Sequence, residues 1–284
     1  MSEKFDEHLL IVAFIKDLNF SVRIESVSEL MGYQVLFIEK AEEFGPPDDQ
    51  DYGRRLAEPL VGREATLIKR ISELRPGLLI FDLGNQAVPW LDWITLLTSV
   101  PATRRIPVLC YGSHVDAATL REAKKAGATR VVPRSKFVKE LPDLVSKLAR
   151  RVDHEELEES CSHPLSSEAR RGLEEFNRGE YFEAHESLEF AWKADASSAR
   201  ELYRAVLQVA VAYYQIERGN YNGALKMFLR IHQWIDPLPD NCRGIDVARL
   251  REDARRVHAL LVSLGPERIG DFDRTLLRPV EYQV

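Results

Sequence analysis

The order of apolar and polar positions changes character near the middle of the chain. Through the first half, short apolar runs alternate with amphipathic stretches. Residues 9–14, 33–38, 78–82, 107–111 and 130–132 read as strands, and their near-continuous apolar character is that of buried parallel strands. Residues 18–31, 64–74, 90–99, 116–126 and 136–150 carry helical periodicity, with Gly127 placed to end the fourth helix. Five β-α units predict an α/β domain over residues 1–150, a flavodoxin-like doubly wound parallel five-stranded sheet. Residues 41–63 interrupt the rhythm. They contain Gly45-Pro46-Pro47-Asp48-Asp49 and read as a long exposed loop.

The second half shows no convincing strand. Residues 167–178, 180–194, 198–218, 220–235 and 246–264 repeat apolar positions at helical spacing, so an all-α bundle of about five helices with a C-terminal tail is predicted over residues 166–284. Residues 151–165, with an acidic run at 153–160, read as a solvated linker or helix extension. One echo organises this half. Arg178-Gly179-Glu180-Tyr181, followed by Ala184, recurs as Arg218-Gly219-Asn220-Tyr221, followed by Ala224. Each Gly is placed to end one helix and turn the chain into the next. Such grammar belongs to stacked helical hairpins, akin to tetratricopeptide repeats, although two copies make a short bundle.

A chain of 284 residues, 45% hydrophobic and 30% charged, suits a globular protein of two domains. The longest apolar run, residues 9–15, is far short of a membrane span. The first residues lack the basic-then-apolar order of a signal peptide. Cys110, Cys161 and Cys242 are scattered, form no metal-ligand pair and cannot all pair within one chain. A reducing cytoplasm is the expectation. Residues 1–150 balance 21 basic against 21 acidic side chains, whereas residues 151–284 hold 18 against 24 and so carry the whole net charge of −6. An acidic second half argues against a nucleic-acid output domain, because that affinity rests on neutralising phosphates.

Candidate chemistry concentrates at Tyr181, His185, Glu189 and Trp192, which fall at i, i+4, i+8 and i+11 of one helix and so share a stripe. An imidazole and a carboxylate between two large aromatics point to a polar site inside the helical domain. Glu186 lies beside them, and Gln208 and Tyr214 are the facing polar candidates. The residues are read first as a buried hydrogen-bond network, in which His185 donates to Glu189. A small-ligand or peptide pocket and a metal site remain open alternatives. Nucleophile elbows, phosphate-cradling loops and His-Glu-x-x-His pairs are absent. Elsewhere, Ser113 or Asp116 is placed to cap the helix beginning near Ala117, with His114 beside them as a potential pocket residue.

Two resemblances extend this reading. Arg75-Pro76-Gly77-Leu78-Leu79-Ile80-Phe81-Asp82-Leu83 looks like the phospho-acceptor strand of a response-regulator receiver domain, with Asp82 at the acceptor position, and Ala126-Gly127-Ala128 also fits. The resemblance covers about residues 8–150. It implies an acidic pair after the first strand, a hydroxyl ending the fourth and a Lys after the fifth, which together hold Mg²⁺ and offset phosphoryl charge. Here the first strand runs into Phe14-Ile15-Lys16, and Asp17 is expected to cap the next helix. Gly112 stands near the hydroxyl position, with Ser113 as substitute, and Arg134 is the basic candidate. The pattern is that of a degenerate receiver, a docking or dimerising module; phosphorylation on Asp82 is the rival. Receivers commonly associate through the region matching residues 116–150.

Phe176-Asn177, Gly179, Tyr181-Phe182-Glu183-Ala184-His185-Glu186, Leu188-Glu189 and Trp192, with Gln208, Ala210-Val211-Ala212, Tyr214 and Arg218-Gly219-Asn220, resemble the domain-of-unknown-function 309 family over residues 166–264. The resemblance implies a metal-binding His-x-x-x-Glu-x-x-Trp motif on His185, Glu189 and Trp192. It also implies a His where this chain has Gln215, a weak zinc ligand. Catalytic zinc wants three protein ligands and an open position. The expectation is a regulatory or scaffolding binding protein, with no cofactor, whose partner is another protein or a second copy in a homodimer. The alternative is a divalent-metal enzyme, perhaps a hydrolase, with metal on His185 and Glu189 and Glu186 as base.

Overall fold

A computed structural model describes residues 9–46, 61–150 and 154–283. They fall into two compact units that divide between residues 151 and 152. The first unit is built on β1 (Leu10–Phe14), β2 (Gln34–Ile38), β3 (Leu78–Asp82), β4 (Val108–Gly112) and β5 (Arg130–Pro133), parallel and ordered β2-β1-β3-β4-β5. It is the doubly wound order of the flavodoxin-like fold, with its switch point between β1 and β3. The helices are α1 (Leu18–Leu30), α2 (Gly62–Leu74), α3 (Trp90–Ser99), α4 (Ala117–Lys125) and α5 (Arg134–Leu148).

Strand side chains alternate between two apolar layers. Val12, Phe14, Leu79 and Phe81 join Leu67 and Trp93 in one, while Ile11, Ala13, Ile80 and Tyr111 join Ile24, Phe137 and Leu141 in the other. Phe14 stacks on Phe81 with centroids 4.2 Å apart and meets Trp93 edge-on at 5.6 Å. Asp17 caps α1 by accepting from the Asn19 amide, and Asp116 caps α4 by accepting from Thr119. The expected long loop gives way at both ends. Ala41–Phe44 is a 3-10 turn with Ala41 and Phe44 buried, because Phe44 packs edge-on against Trp93 at 5.2 Å. Arg63 is buried too and donates through Nε to the Gly45 carbonyl at 2.8 Å. Residues 47–60 of that stretch lie outside the described residues.

The second unit contains α6 (His154–Cys161), α7 (Ser167–Asn177), α8 (Tyr181–Ala194), α9 (Glu201–Glu217), α10 (Tyr221–Ile235) and α11 (Val247–Leu264). Helices α7 to α10 pack each on the next. The echoed turns are built alike. Gly179 and Gly219 take φ of 79° and 69°, the left-handed region where a side chain is strained. The following amides, Glu180 and Asn220, donate back to the Glu175 and Gln215 carbonyls at 2.9 and 2.8 Å. Asn220 adds a side-chain cap on the Gly223 amide at 3.0 Å. Gly172 on α7 lets α8 come close, since a Cβ there would stand 2.7 Å from Leu188 Cγ.

Three features depart from the sequence reading. The acidic run is helix α6, and its inner face of Leu157, Ser160 and Cys161 is buried against this unit; the carboxylates are only its outer face. A small hairpin of β6 (Asn241–Cys242) and β7 (Ile245–Asp246) stands where no strand was expected. Its two turn residues, Arg243 and Gly244, have φ of 53° and 81°, as a tight hairpin turn of this twist requires. The hairpin carries Cys242 to Cys161, with which it forms a disulfide across 81 residues, while Cys110 is free and buried. Among the described residues no helix is long and apolar enough to cross a membrane.

Candidate functional site

At the carboxyl edge of the first sheet, Asp82 ends β3 and is only 4% exposed. Its Oδ1 accepts from the Gly84 amide at 2.9 Å. Arg134, which opens α5, donates through Nη2 to the same oxygen at 3.3 Å. The guanidinium fills the space over the loop backbone, where a Cβ on Gly84 would stand 2.6 Å from Nη2. Tyr111 pairs with Asp82 across the sheet and stacks between Phe20 at 5.0 Å and Phe137 at 4.1 Å. Burial, and after it the charge of Asp82, pushes the Tyr111 phenol well above its ordinary range.

The rest of a receiver's pocket is not assembled. β1 and the residue after it end in buried Phe14 and Ile15 where an acidic pair would stand, and Asp17 is committed to α1. Ser113 and His114 are exposed, with the Ser113 hydroxyl accepting from the Val115 amide in its own loop. Mg²⁺ needs several hard oxygen ligands. Among the described residues no group of three or more His, Cys, Asp or Glu could hold a metal ion. These side chains do not fit the ion.

On α8 the expected stripe runs from core to surface. Tyr181 is buried, with edge-on contacts to Phe176 at 5.3 Å and Tyr213 at 5.5 Å. Burial, and secondarily the charge of Glu217, pushes its phenol up to about 12. His185 is half-buried and Glu186 exposed. Glu189 has a side chain 42% exposed and pairs with Lys193 at 3.0 Å. A four-residue step overshoots a full helical turn by about 40°, so two steps carry Glu189 about 80° around from Tyr181. It therefore leaves the core and meets the next lysine, in place of the sealed His185–Glu189 pair that the spacing suggested. Tyr214 also points outward. Its ring leans on Phe182 at 6.0 Å and its hydroxyl accepts from Arg218 at 3.2 Å. Gln215 accepts from Asn220 Nδ2 at 2.7 Å and serves the turn. With Glu189 held by Lys193 and, among the described residues, no group of three or more His, Cys, Asp or Glu that could hold a metal ion, the residues do not fit a catalytic divalent centre.

Trp192 returns to the boundary of the core and carries a cluster that the sequence reading missed. The guanidinium carbons of Arg200 and Arg204 lie 4.7 and 4.6 Å from its ring centroid, and Arg204 also lies 3.8 Å from that of Trp234. Glu201 stands 3.9 and 3.7 Å from the two arginines, beyond hydrogen-bond length. Trp192 Nε1, Arg200 Nε, Glu201 Oε2 and Gln208 Oε1 are buried without a hydrogen-bond partner. Arg200, Arg204 and Gln208 recur every four residues, a signal visible in the chain.

Two further polar groups were not foreseen. Buried Arg243 pairs with Asp195 at 2.7 Å, donates to Ser197 Oγ at 2.8 Å and bonds the Tyr203 hydroxyl. Burial alone would raise Asp195; hydrogen bonds from the Ser197 amide and hydroxyl, and then Arg243, outweigh it and hold the carboxyl below the ordinary range. Between α10 and α11, His232 Nδ1 lies 2.9 Å from Asp236, and His258 stacks on Phe228 at 5.3 Å. The cavity there is about 20 Å³, room for about one water.

Residues 169–227 match the family described as Domain of unknown function (DUF309). An uncharacterized protein of Aquifex aeolicus (strain VF5) is 27% identical over 97 residues, which is 34% of this chain. The chain spans only 27% of that relative's length. The N-terminal half is similar to response-regulator receiver domains. A signal receiver domain from Bermanella marisrubri is 20% identical, with 50% of this chain and 98% of that one covered and a TM-score of 0.36. Full-length FixJ from B. japonicum is 14% identical, with 80% and 99% covered and a TM-score of 0.37.

Proposed function

We propose that this chain is a regulatory binding protein without catalysis of its own, in which a receiver-like unit fixed in one state accompanies a helical unit that binds a ligand or protein. Asp82 carries the reading. A phosphoryl acceptor must stand free beside a bound cation, whereas Asp82 already faces the positive charge of Arg134, and among the described residues no group of three or more His, Cys, Asp or Glu is placed to hold Mg²⁺. Incubation of the purified chain with acetyl phosphate and Mg²⁺ is expected to leave its intact mass unchanged. A phosphoryl adduct that disappears in Asp82→Asn would restore the phosphorelay reading.

The partner includes a second copy of the chain. Helix α4, β5 and α5 form the face, within residues 116–150, through which receiver-like folds associate. Light scattering is expected to give twice the 32.5 kDa mass of one chain. A single-chain mass at every concentration would remove self-association.

A further inference from the structure

We propose that Cys161–Cys242 is a redox switch, whose reduction by a dithiol lets helix α6 come away from the second unit while α7 to α11 stay folded. The sequence of α6 makes it a poor helix by itself. It has eight residues, and helices of fewer than about 12 residues are marginal in water without tertiary support. Glu155 and Glu159 repel each other across one turn, and Glu158 and Glu159 crowd the negative end of the helix dipole, where no basic residue stands. The buried face is narrow, made of Leu157, Ser160 and Cys161, and it packs chiefly on the 3-10 turn Ser198–Arg200 and on β6. The disulfide is the covalent part of that hold. How readily a segment opens depends on how much it buries and how it is tied, so α6 is the element whose order leans most on the bond.

The bond is placed for exchange from one side. Cys161 is 6% exposed and Cys242 fully buried, so an attacking thiolate meets the Cys161 sulfur first. The reductant's sulfur bonds to Cys161 Sγ as the bond between the two protein sulfurs breaks, and the expelled Cys242 thiolate takes up a proton. The second thiol of the reductant then closes on the first, forms its own disulfide and releases Cys161 as a thiol. The two electrons that the dithiol loses are the two that the protein gains. Cys110 does not enter this exchange. It is buried in β4, and burial pushes its thiol well above the ordinary range, so no thiolate from it competes. The change also reaches the buried Arg243 group. Arg243 follows Cys242 in the hairpin turn, its amide donates to the Cys161 carbonyl at 2.7 Å, and its guanidinium holds Asp195 and Ser197. Ser198 in turn donates to Ser160 Oγ at 3.1 Å. Departure of α6 therefore removes contacts from residues 197–200, which lead into α9 and carry Arg200 against Trp192.

The test uses the full chain, oxidised with oxidised glutathione and then treated with dithiothreitol without denaturant. Amide hydrogen exchange of residues 157–162 is expected to speed up by at least about tenfold on reduction, while α9 and α10 keep their protection. A protease that cuts after glutamate should cleave within Glu155–Glu159 of the reduced chain and spare the oxidised one. Oxidised glutathione, which takes the two electrons back, should restore both readings. Cys161→Ser with Cys242→Ser should behave as the reduced chain with or without dithiothreitol. Protection of α6 that survives reduction would overturn the switch and leave the bond a strut. Loss of α9 protection together with that of α6 would overturn it as well, because the bond would then hold the whole unit. A bond that dithiothreitol does not open in the native chain would end the proposal too. None of these results touches the closed acceptor pocket, which is read by mass.

Discussion

Replacing Arg243 with alanine is expected to destabilise the helical unit by about 3–5 kcal/mol, the range for breaking a buried ion pair from one side. The arginine side chain is 7% exposed and its partner Asp195 15%, so removal strands a carboxylate that solvent reaches poorly. The Tyr203 and Ser197 hydroxyls lose a donor at the same time. None of the loss is returned in the alanine variant, because Arg243 sits at φ 53° and alanine is as strained there as arginine, whereas glycine would relieve that strain. Arg243→Gly is therefore expected to be milder than Arg243→Ala, and the difference isolates the backbone contribution. Hydrogen exchange of α9 amides in the full chain reads the effect. A change below about 0.5 kcal/mol, the scatter of ordinary surface substitutions, would refute the role assigned to the pair. The pH dependence supplies a signature. Asp195 is depressed in the fold, so its contribution is complete above the unfolded carboxylate value of about 3.9 and is lost as pH falls through the folded value. The gap between wild type and Arg243→Ala should narrow over that acid window and stay constant from pH 5 to 8.

Reduction of Cys161–Cys242, or its replacement by Cys161→Ser with Cys242→Ser, is expected to lower the stability of the same unit by roughly 2–4 kcal/mol. The closed loop spans 81 residues and takes in α7 to α10, so the untied chain gains much freedom when unfolded. Helix α6 should respond most. Beyond Leu157 and the half-cystine, its hold includes the Ser198–Ser160 hydroxyl bond at 3.1 Å and the Arg243 amide donating to the Cys161 carbonyl at 2.7 Å. Thiol titration of the denatured, unreduced chain should find one reactive group, Cys110. Three would show that the chain is purified reduced, and the expected stability difference would then appear on oxidation.

Much of the fold was legible because its signals are local. Strands buried on both faces read as apolar runs, and helices of the second half declared themselves through their period and through Gly179 and Gly219. Asp82 and Arg134 were each legible by position, since strand order places the ends of β3 and β5 at one edge, but the bond between them was not. What escaped depended on contacts distant in sequence or on small angular drift. Helix α6 shows a single aliphatic side chain on its inner face, Leu157, so its charge dominated the pattern. Nothing local marks Cys161 and Cys242 as neighbours, since a two-residue hairpin turn delivers one to the other. The stripe on α8 does not hold one face: treating i, i+4 and i+8 as aligned ignored the drift that takes Glu189 to Lys193. Arg200, Arg204 and Gln208 were readable at four-residue spacing, but their importance lies in the indoles they meet, and Trp234 is 30 residues from Arg204.

The arginine that opens α5 also bears on time. A receiver that is charged by a donor and discharged by hydrolysis keeps a short record of recent signals. When a built-in positive charge already occupies the acceptor, as proposed for Asp82 and Arg134, no phosphoryl group need be added or erased. A unit closed in the way proposed would keep no memory of earlier conditions; its output at any moment would follow the amount of protein present and what is bound to it then.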